Sequence, residues 1–164
     1  MIRIAIVEDE QNYIDKLSEY LDRYKKEYGE QLSVTVFRDG DEISSGYKAQ
    51  FDIILMDIEM KFVNGMSAAE EIRKVDSEVT IIFITNTPQY AVRGYEVGAL
   101  DYILKPVPYF TFSQKLNRAV QKIKKRSKRW ITIPVKGGVM RMELSDIYYI
   151  ESEGHNLIYH TESG

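Results

Sequence analysis

The sequence of 164 residues contains no cysteine and only four prolines. The lack of cysteine excludes disulfide bonds and thiolate-ligated metal sites, and it fits a reducing compartment, so we expect a cytoplasmic protein. No apolar run approaches the roughly 18 residues that a membrane-spanning helix needs. The N-terminal stretch turns acidic at Glu8, unlike a secretory signal. With 44% hydrophobic residues, the chain has enough apolar side chains for a packed core.

Acidic residues are missing from one long stretch of the chain. Residues 102–142 carry 11 basic and no acidic side chains, whereas residues 1–101 carry 20 acidic and 11 basic ones. Such an asymmetry suggests that different parts of the chain meet different partners. The basic run is either a solvated helix face and linker or a nucleic-acid contact, and composition alone leaves both interpretations open.

Short apolar runs alternate with helical patterns up to residue 126. The runs predict five strands, and the patterns after them predict five helices. Strands that are almost wholly apolar need cover on both faces, so we predict a doubly wound, five-stranded parallel α/β sheet of flavodoxin-like order. The predicted strands are Ile2–Val7, Leu32–Phe37, Phe51–Met56, Val79–Ile84 and Tyr102–Leu104. The later helices are predicted over Gly40–Ala49, Ser67–Val75, Pro88–Val97 and Tyr109–Arg126. The helical stripes predict these inward-facing side chains: Ile14, Leu17, Leu21, Tyr24, Tyr28, Ala68, Ala69, Ile72, Val75, Phe112, Leu116, Ala119, Val120 and Ile123.

After Trp130 the pattern changes to short strands separated by glycine turns, with no helix between them. The strand candidates are Ile131–Val135, Val139–Glu143, Ile147–Glu151 and Asn156–His160. About 35 residues of strand bury little core alone. We therefore predict one domain over residues 1–126, a basic linker over residues 127–129, and the first part of an all-β unit over residues 130–164. This unit is either truncated at Gly164 or packs on a partner.

Acidic side chains directly follow two of the predicted strands. Glu8 and Asp9 come after the first strand, and Asp57 comes after the third. In an open α/β sheet, the residues after the carboxyl ends of neighbouring strands line one crevice. Three carboxylates in a crevice repel one another unless a cation neutralises them. We predict a Mg²⁺ site there, because Mg²⁺ prefers oxygen ligands and takes one or two protein carboxylates.

A hydroxyl and an ammonium group are expected at the same crevice. Thr85 follows the fourth strand, and Lys105 follows the fifth and precedes Pro106. With a metal ion, these groups can stabilise charge on a phosphoryl group while Asp57 attacks as the nucleophile. The arrangement predicts phosphoryl transfer to Asp57, with Thr85 and Lys105 donating to the phosphoryl oxygens.

Five short motifs stand in order at the predicted strand ends. They are Glu8-Asp9, Leu55-Met56-Asp57-Ile58, Gly65, Thr85, and Tyr102-Ile103-Leu104-Lys105-Pro106. Each motif is weak alone, but the ordered set resembles the response regulator receiver family over residues 1–126. The resemblance implies a signalling module, not a turnover enzyme, whose Asp57 is phosphorylated by a sensor histidine kinase.

The resemblance also implies roles for individual residues. Asp9 and Asp57 are expected to bind Mg²⁺, with the backbone carbonyl of Glu59 as a third ligand and Glu8 in the outer shell. Lys105 is expected to contact the phosphoryl group. Thr85 and Tyr102 are expected to form a conformational switch.

Two further expectations follow from the same resemblance. The Lys105–Pro106 peptide bond is expected to be cis. The face formed by residues 88–126 is expected to support a homodimer. One position departs from the family pattern, because Lys61 stands where many relatives have proline. The substitution is expected to loosen the loop or to add a cation beside the phosphoryl group.

The β-rich segment resembles the opening third of a LytTR-type DNA-binding domain. The motifs that carry this resemblance are Ile131–Val135, Gly137-Gly138, Asp146–Glu151 and His155–Gly164. It implies a transcription regulator whose intact output domain binds DNA, although this chain alone is expected to bind it poorly. His155 either contacts DNA or is an exposed turn histidine, and the sequence leaves both open.

Other functions remain to be distinguished at this point. A phospho-acceptor could act through protein contacts without DNA, but the strands after Trp130 argue against it. An aspartyl-nucleophile hydrolase would need a second general acid, and Asp57 is followed two positions later by Glu59 instead of Asp. A degenerate receiver that is never phosphorylated is disfavoured by the intact set of acids, threonine and lysine.

Overall fold

The computed structural model describes residues 1–127, 130–143, 147–153 and 156–161. The chain divides into two compact units, Met1–Val120 and Gln121–Gly164. Within the described ranges, no helix combines the length and the apolar character that crossing a membrane requires.

The first unit is built on a five-stranded sheet in which every neighbouring pair is parallel. The spatial order is β2-β1-β3-β4-β5. This order confirms the predicted flavodoxin-like α/β fold. The strands are β1 (Ile2–Val7), β2 (Leu32–Phe37), β3 (Ile53–Met56), β4 (Thr80–Thr85) and β5 (Asp101–Leu104). The helices are α1 (Gln11–Tyr28), α2 (Gly40–Ser44), α3 (Gly65–Val75), α4 (Ala91–Glu96) and α5 (Tyr109–Ser127).

The central strands are buried on both faces, as their apolar sequences require. All residues of β3 and β4 are buried, whereas most of the edge strand β2 is exposed. The chain reverses its direction of winding between β1 and β3, and at that point the carboxyl ends of two neighbouring strands open a crevice. The fold therefore places the residues after β1 and β3 side by side.

Several predicted boundaries were wrong for local reasons. The second helix ends at Ser44, not Ala49. The third helix begins at Gly65, two residues before its predicted start. The Asn64 side chain accepts a hydrogen bond from the Ser67 amide at 2.8 Å and thereby caps the helix. The helix predicted over Pro88–Val97 begins with a single 3₁₀ turn, Pro88–Tyr90, and only Ala91–Glu96 is α-helical.

Two side chains predicted to face inward are exposed. Val75 is 61% exposed because it is the last residue of α3, where the helix leaves the core. Tyr28 is 46% exposed and stacks on the buried Tyr24, with ring centroids 4.4 Å apart. Both cases show that a helical stripe overestimates burial in the last turn of a helix.

Beyond α5 the described chain forms two antiparallel hairpins. Strand β6 (Trp130–Val135) pairs with β7 (Gly138–Glu143), and β8 (Ile147–Glu153) pairs with β9 (Asn156–Thr161). The glycine pair predicted a turn between the first two strands, and Gly137 takes a positive φ of 92° there. The four predicted strands are therefore present, while the proposed domain boundaries stay predictions.

Candidate functional site

The crevice between β1 and β3 is assembled by parallel strand pairing. Val7 and Met56 are register partners, so the residues that follow them leave the sheet together. The Asp57 amide donates to the Val7 carbonyl at 2.9 Å, which extends the pairing by one step. Glu8 and Asp57 thus take neighbouring places because of backbone hydrogen bonds that do not depend on their side chains.

Three carboxylates meet at this edge of the sheet. Glu8, Asp9 and Asp57 each offer an oxygen, and these oxygens lie within 4.8 Å of one another. Glu8 is 1% and Asp57 5% exposed, while Asp9 faces solvent. A set of hard oxygen donors with one open side fits a divalent cation such as Mg²⁺, which keeps several waters. The predicted cluster is therefore present.

Lys105 neutralises part of this charge from the far side of the crevice. Its Nζ lies 2.8 Å from Glu8 Oε2 and 3.3 Å from Asp57 Oδ2, and the side chain is 2% exposed. The Lys105 amide donates to the Thr85 carbonyl at 2.9 Å, so β4 guides the residue into place. The Tyr13 ring covers the ammonium group, with 4.1 Å from Nζ to the ring centroid.

Burial and charge set the ionisation of this cluster. Burial raises the pKa of the Glu8 carboxyl to about 7, the hydrogen bond from Lys105 opposes the rise, and the charge of Asp57 adds to it. Burial acts to lower the pKa of Lys105, but the hydrogen bond to Glu8 and the charge of Asp57 outweigh it and leave that pKa raised. Lys105 is consequently a buried cation at neutral pH.

Asp57 has its two carboxylate oxygens in different environments. Oδ1 accepts a hydrogen bond from the Ile58 amide at 2.7 Å, and Oδ2 faces Lys105. One oxygen of Asp57 is thus oriented by the backbone while the other lies beside a fixed positive charge.

The peptide bond between Lys105 and Pro106 is cis, as predicted.

Thr85 and Tyr102 lie at the adjoining strands, and both bind the peptide groups of one residue, Thr87. The Thr87 amide donates to Thr85 Oγ1 at 3.3 Å, and the Tyr102 hydroxyl donates to the Thr87 carbonyl. The Tyr102 ring also packs under α4, where a Cβ added to Gly94 would lie 3.1 Å from it. The structure thus connects the two predicted switch residues through the loop between β4 and α4.

Sequence reasoning missed two residues that organise the crevice. Thr87 was not singled out, although its place two residues after Thr85 is a signal that could have found it. Asp39, a buried carboxylate after β2, binds the backbone of the loop that follows Asp57. An Asp-Gly pair after a strand indicates only a turn or a helix cap, so its second role could not be deduced.

Two predicted site residues remain, Glu59 and His155. Glu59 is exposed two residues after Asp57, and the role of its carbonyl as a ligand stays a prediction. His155 lies outside the described residues.

The sequence matches a known family over most of the first unit. Residues 4–117 match the family described as the response regulator receiver domain. The chain is also 27% identical over 170 residues to the sensory transduction protein LytT of Bacillus anthracis, which covers 92% of the chain and 65% of that relative. The chain spans 61% to 65% of the length of the curated relatives that it matches over most of its own length.

Solved structures with the same fold cover the first unit. The response regulatory domain of protein mrkE from Klebsiella pneumoniae has a TM-score of 0.67 at 27% identity, covering 76% of the chain and 99% of that domain. The response regulator protein TrrA from Thermotoga maritima, in complex with Mg(2+)-BeF, has a TM-score of 0.62 at 25% identity, covering 73% of the chain and 99% of TrrA.

Proposed function

The chain belongs to the response regulator receiver domain family, and from that premise we propose that Asp57 accepts a phosphoryl group in a Mg²⁺-dependent reaction. The donor is a sensor histidine kinase, and the phosphorylated state controls transcription through a DNA-binding output domain. The observation that carries this proposal is the buried Asp57 carboxylate held between two other acids and the Lys105 ammonium.

The geometry fits nucleophilic attack by one oxygen of Asp57. Oδ1 is oriented by the Ile58 amide, whereas Oδ2 faces Lys105, so Oδ2 is the oxygen that we expect to form the new bond to phosphorus. The leaving group takes the electron pair of the bond that breaks. Lys105 Nζ, 3.3 Å from Oδ2, supplies a positive charge where the transferred oxygens gather negative charge.

Asp9, Asp57 and the Glu59 carbonyl are the groups that would hold Mg²⁺, with Glu8 beside them. When bound, the cation neutralises charge on the carboxylates and the phosphoryl oxygens. Glu8 helps by pairing with Lys105 at 2.8 Å, which fixes the ammonium group in the crevice. These residues provide position and charge, and no side chain needs to exchange a proton with Asp57.

The switch proposal rests on the two hydrogen bonds to Thr87. Phosphorylation adds roughly −1.5 to −2 charges and strong acceptor oxygens beside Thr85. The Thr85 hydroxyl then turns toward the phosphoryl group, its bond with the Thr87 amide is lost, and the loop that also holds Tyr102 rearranges. A local charge change is thereby transmitted to the surface around α4.

That surface supports the proposed homodimer through residues 88–126. It exposes large apolar side chains that a monomer has no need to expose, among them Val92 at 72% and Tyr95 at 85%. Asp101 of β5 pairs with Lys115 and Arg118 of α5, at 3.2 and 3.8 Å, so ion pairs link two of the elements that form this face. A face of this kind suits a homodimer that assembles only after the switch has moved.

The output proposal rests on the β hairpins and on the similarity to LytT, which extends over 92% of the chain. We propose that the intact protein binds DNA through a LytTR-type domain, with residues 130–164 as its first part, residues 1–126 as the receiver and residues 127–129 as the linker. His155 is proposed as a DNA contact. The receiver reacts once per phosphorylation and loses the group slowly, so it is not a turnover enzyme.

The decisive experiment is the intact mass of the chain after incubation with a small phosphodonor and Mg²⁺. The parent is expected to gain one phosphoryl group, roughly 80 Da, and Asp57→Ala is expected to gain none. Chelation of the metal should prevent the gain in the parent. A parent mass that does not change would contradict phosphoryl transfer to Asp57.

A further inference from the structure

We propose that Asp39 is a positioning residue for the metal site, because its carboxylate holds the loop of residues 57–64 in the shape that Mg²⁺ binding requires. The inference rests on the proposed function, and it assigns a task to a residue outside the predicted site.

The Asp39 carboxylate is bound to the loop by two backbone amides. Oδ2 accepts from the Phe62 amide at 2.9 Å, and Oδ1 accepts from the Val63 amide at 2.8 Å. Oδ1 also accepts from the Asp41 amide at 3.3 Å, which caps α2. The residue is 4% exposed, so no solvent competes strongly for these bonds. One buried side chain therefore ties the start of α2 to the middle of the loop.

Two glycines close the same loop at either side. The Gly40 amide donates to the Val63 carbonyl at 3.1 Å, and a Cβ on Gly40 would lie 2.4 Å from that oxygen. The Gly65 amide donates to the Ile58 carbonyl at 2.8 Å, and a Cβ there would lie 1.9 Å from the Asp57 carbonyl oxygen. The loop is packed too closely at both places to admit any larger residue.

The charge of Asp39 strengthens this contact. Burial acts to raise the pKa of its carboxyl, but the amides of Phe62, Val63 and Asp41 together outweigh burial and leave the pKa lowered. The group is therefore a carboxylate at neutral pH, and hydrogen bonds to a charged acceptor are stronger than those to a neutral one.

The loop is the segment that completes the metal site. It begins at Asp57 and includes Glu59, whose carbonyl is the proposed third ligand. It has Lys61 where a proline would restrict the backbone, so contacts from outside the loop contribute to its order. Asp39 supplies such contacts at the next two residues, Phe62 and Val63. Mg²⁺ binding to a loop ordered in advance costs less conformational entropy.

The test compares Mg²⁺ binding in the absence of any phosphodonor. Asp39→Asn is expected to raise the dissociation constant for Mg²⁺ by about tenfold, the lower end of what the loss of a residue that orients metal ligands costs. Amide hydrogen exchange at Phe62 and Val63 should become faster in the same variant. At saturating Mg²⁺, the rate of phosphorylation should return to within about twofold of the parent, because the reacting groups are unchanged.

Asp76 offers a matched control at the amino ends of the strands, away from the crevice. Its buried carboxylate also accepts two backbone amides, from Glu78 at 3.0 Å and Val79 at 3.1 Å, but it stands before β4. Asp76→Asn should lower stability while leaving the dissociation constant for Mg²⁺ within about twofold of the parent.

The possible results separate the two proposals. An unchanged constant in Asp39→Asn, or an equal rise in Asp76→Asn, would overturn the role of Asp39 alone. A parent that binds Mg²⁺ but gains no phosphoryl group would overturn the proposed function and leave the role of Asp39 standing on the binding data. A parent that binds no Mg²⁺ would overturn both.

Discussion

At the ends of β1, β3 and β5, Glu8, Asp57 and Lys105 are held by ion pairs between side chains that are at most 6% exposed. Thr85 at the end of β4 and Tyr102 within β5 are instead held by neutral hydrogen bonds to the single residue Thr87. Buried charges are costly to separate, whereas one or two neutral hydrogen bonds can be exchanged at low cost. The first region is thus suited to hold a reaction centre fixed, and the second is suited to change its conformation.

The largest expected effect comes from removing the buried cation. Lys105→Met leaves the carboxylates of Glu8 and Asp57 facing each other without a counter-ion, and we expect the free energy of unfolding without Mg²⁺ at pH 8 to fall by about 3 kcal/mol. Urea denaturation of parent and variant measures this difference. Added Mg²⁺ should recover part of the loss, because it supplies the missing positive charge.

Lys74→Met is the control for an exposed ion pair. Lys74 Nζ lies 2.8 Å from Glu71 Oε1, yet the two side chains are 70% and 57% exposed, so solvent screens the pair and its loss should leave the free energy of unfolding nearly unchanged. If the two variants lost equal stability, burial would not distinguish the ion pairs of the crevice from surface pairs.

A second prediction concerns the pH dependence of the loop contact. The pKa of Asp39 is lowered on folding, so its contribution to stability is present above the unfolded value of about 3.8 and is lost as pH falls through the folded value. We expect Asp39→Asn to be less stable than the parent by about 1.5 kcal/mol between pH 5 and 8. The difference should shrink as the pH falls below about 4.

Urea denaturation of both proteins across this pH range provides the measurement. A difference that stays constant down to pH 3 would mean that the negative charge of Asp39 does not contribute to the contact with Phe62 and Val63.

The smallest expected effect belongs to the switch region. Tyr102→Phe removes the hydroxyl that donates to the Thr87 carbonyl, and we expect a loss of about 1 kcal/mol together with faster amide exchange at Thr87. The rate at which Asp57 gains its phosphoryl group should stay within about twofold of the parent, because the crevice is untouched.

Tyr20→Phe is the matched control, because the Tyr20 hydroxyl also donates to a backbone carbonyl, that of Val107, at 2.8 Å. It should cost similar stability without changing exchange at Thr87. If Tyr102→Phe slowed phosphorylation as strongly as a change in the crevice, the two regions could not be treated as separate.

The fold could be predicted because its strands are strongly apolar and stand at regular intervals. Some boundaries failed for local reasons, as at the Asn64 cap of α3, and others because of a contact from another segment. Strand β4 extends to Thr85 because Leu104 of β5 pairs with that residue. Val75 continues the stripe of α3 in the sequence, but the helix ends there and leaves it in solvent.

The sequence by itself determined which residues meet in the crevice. Parallel strands bring the residues after their carboxyl ends to one edge, so Glu8, Asp57 and Lys105 could be placed from their positions in the chain. Tertiary structure alone decided which side chains hold the loops around the crevice. The contacts of Asp39 with Phe62 and Val63, and of Tyr102 with Thr87, join segments through backbone amides and carbonyls. Every residue type but proline offers both groups, so no side-chain pattern in the sequence marks which of them a distant side chain will bind.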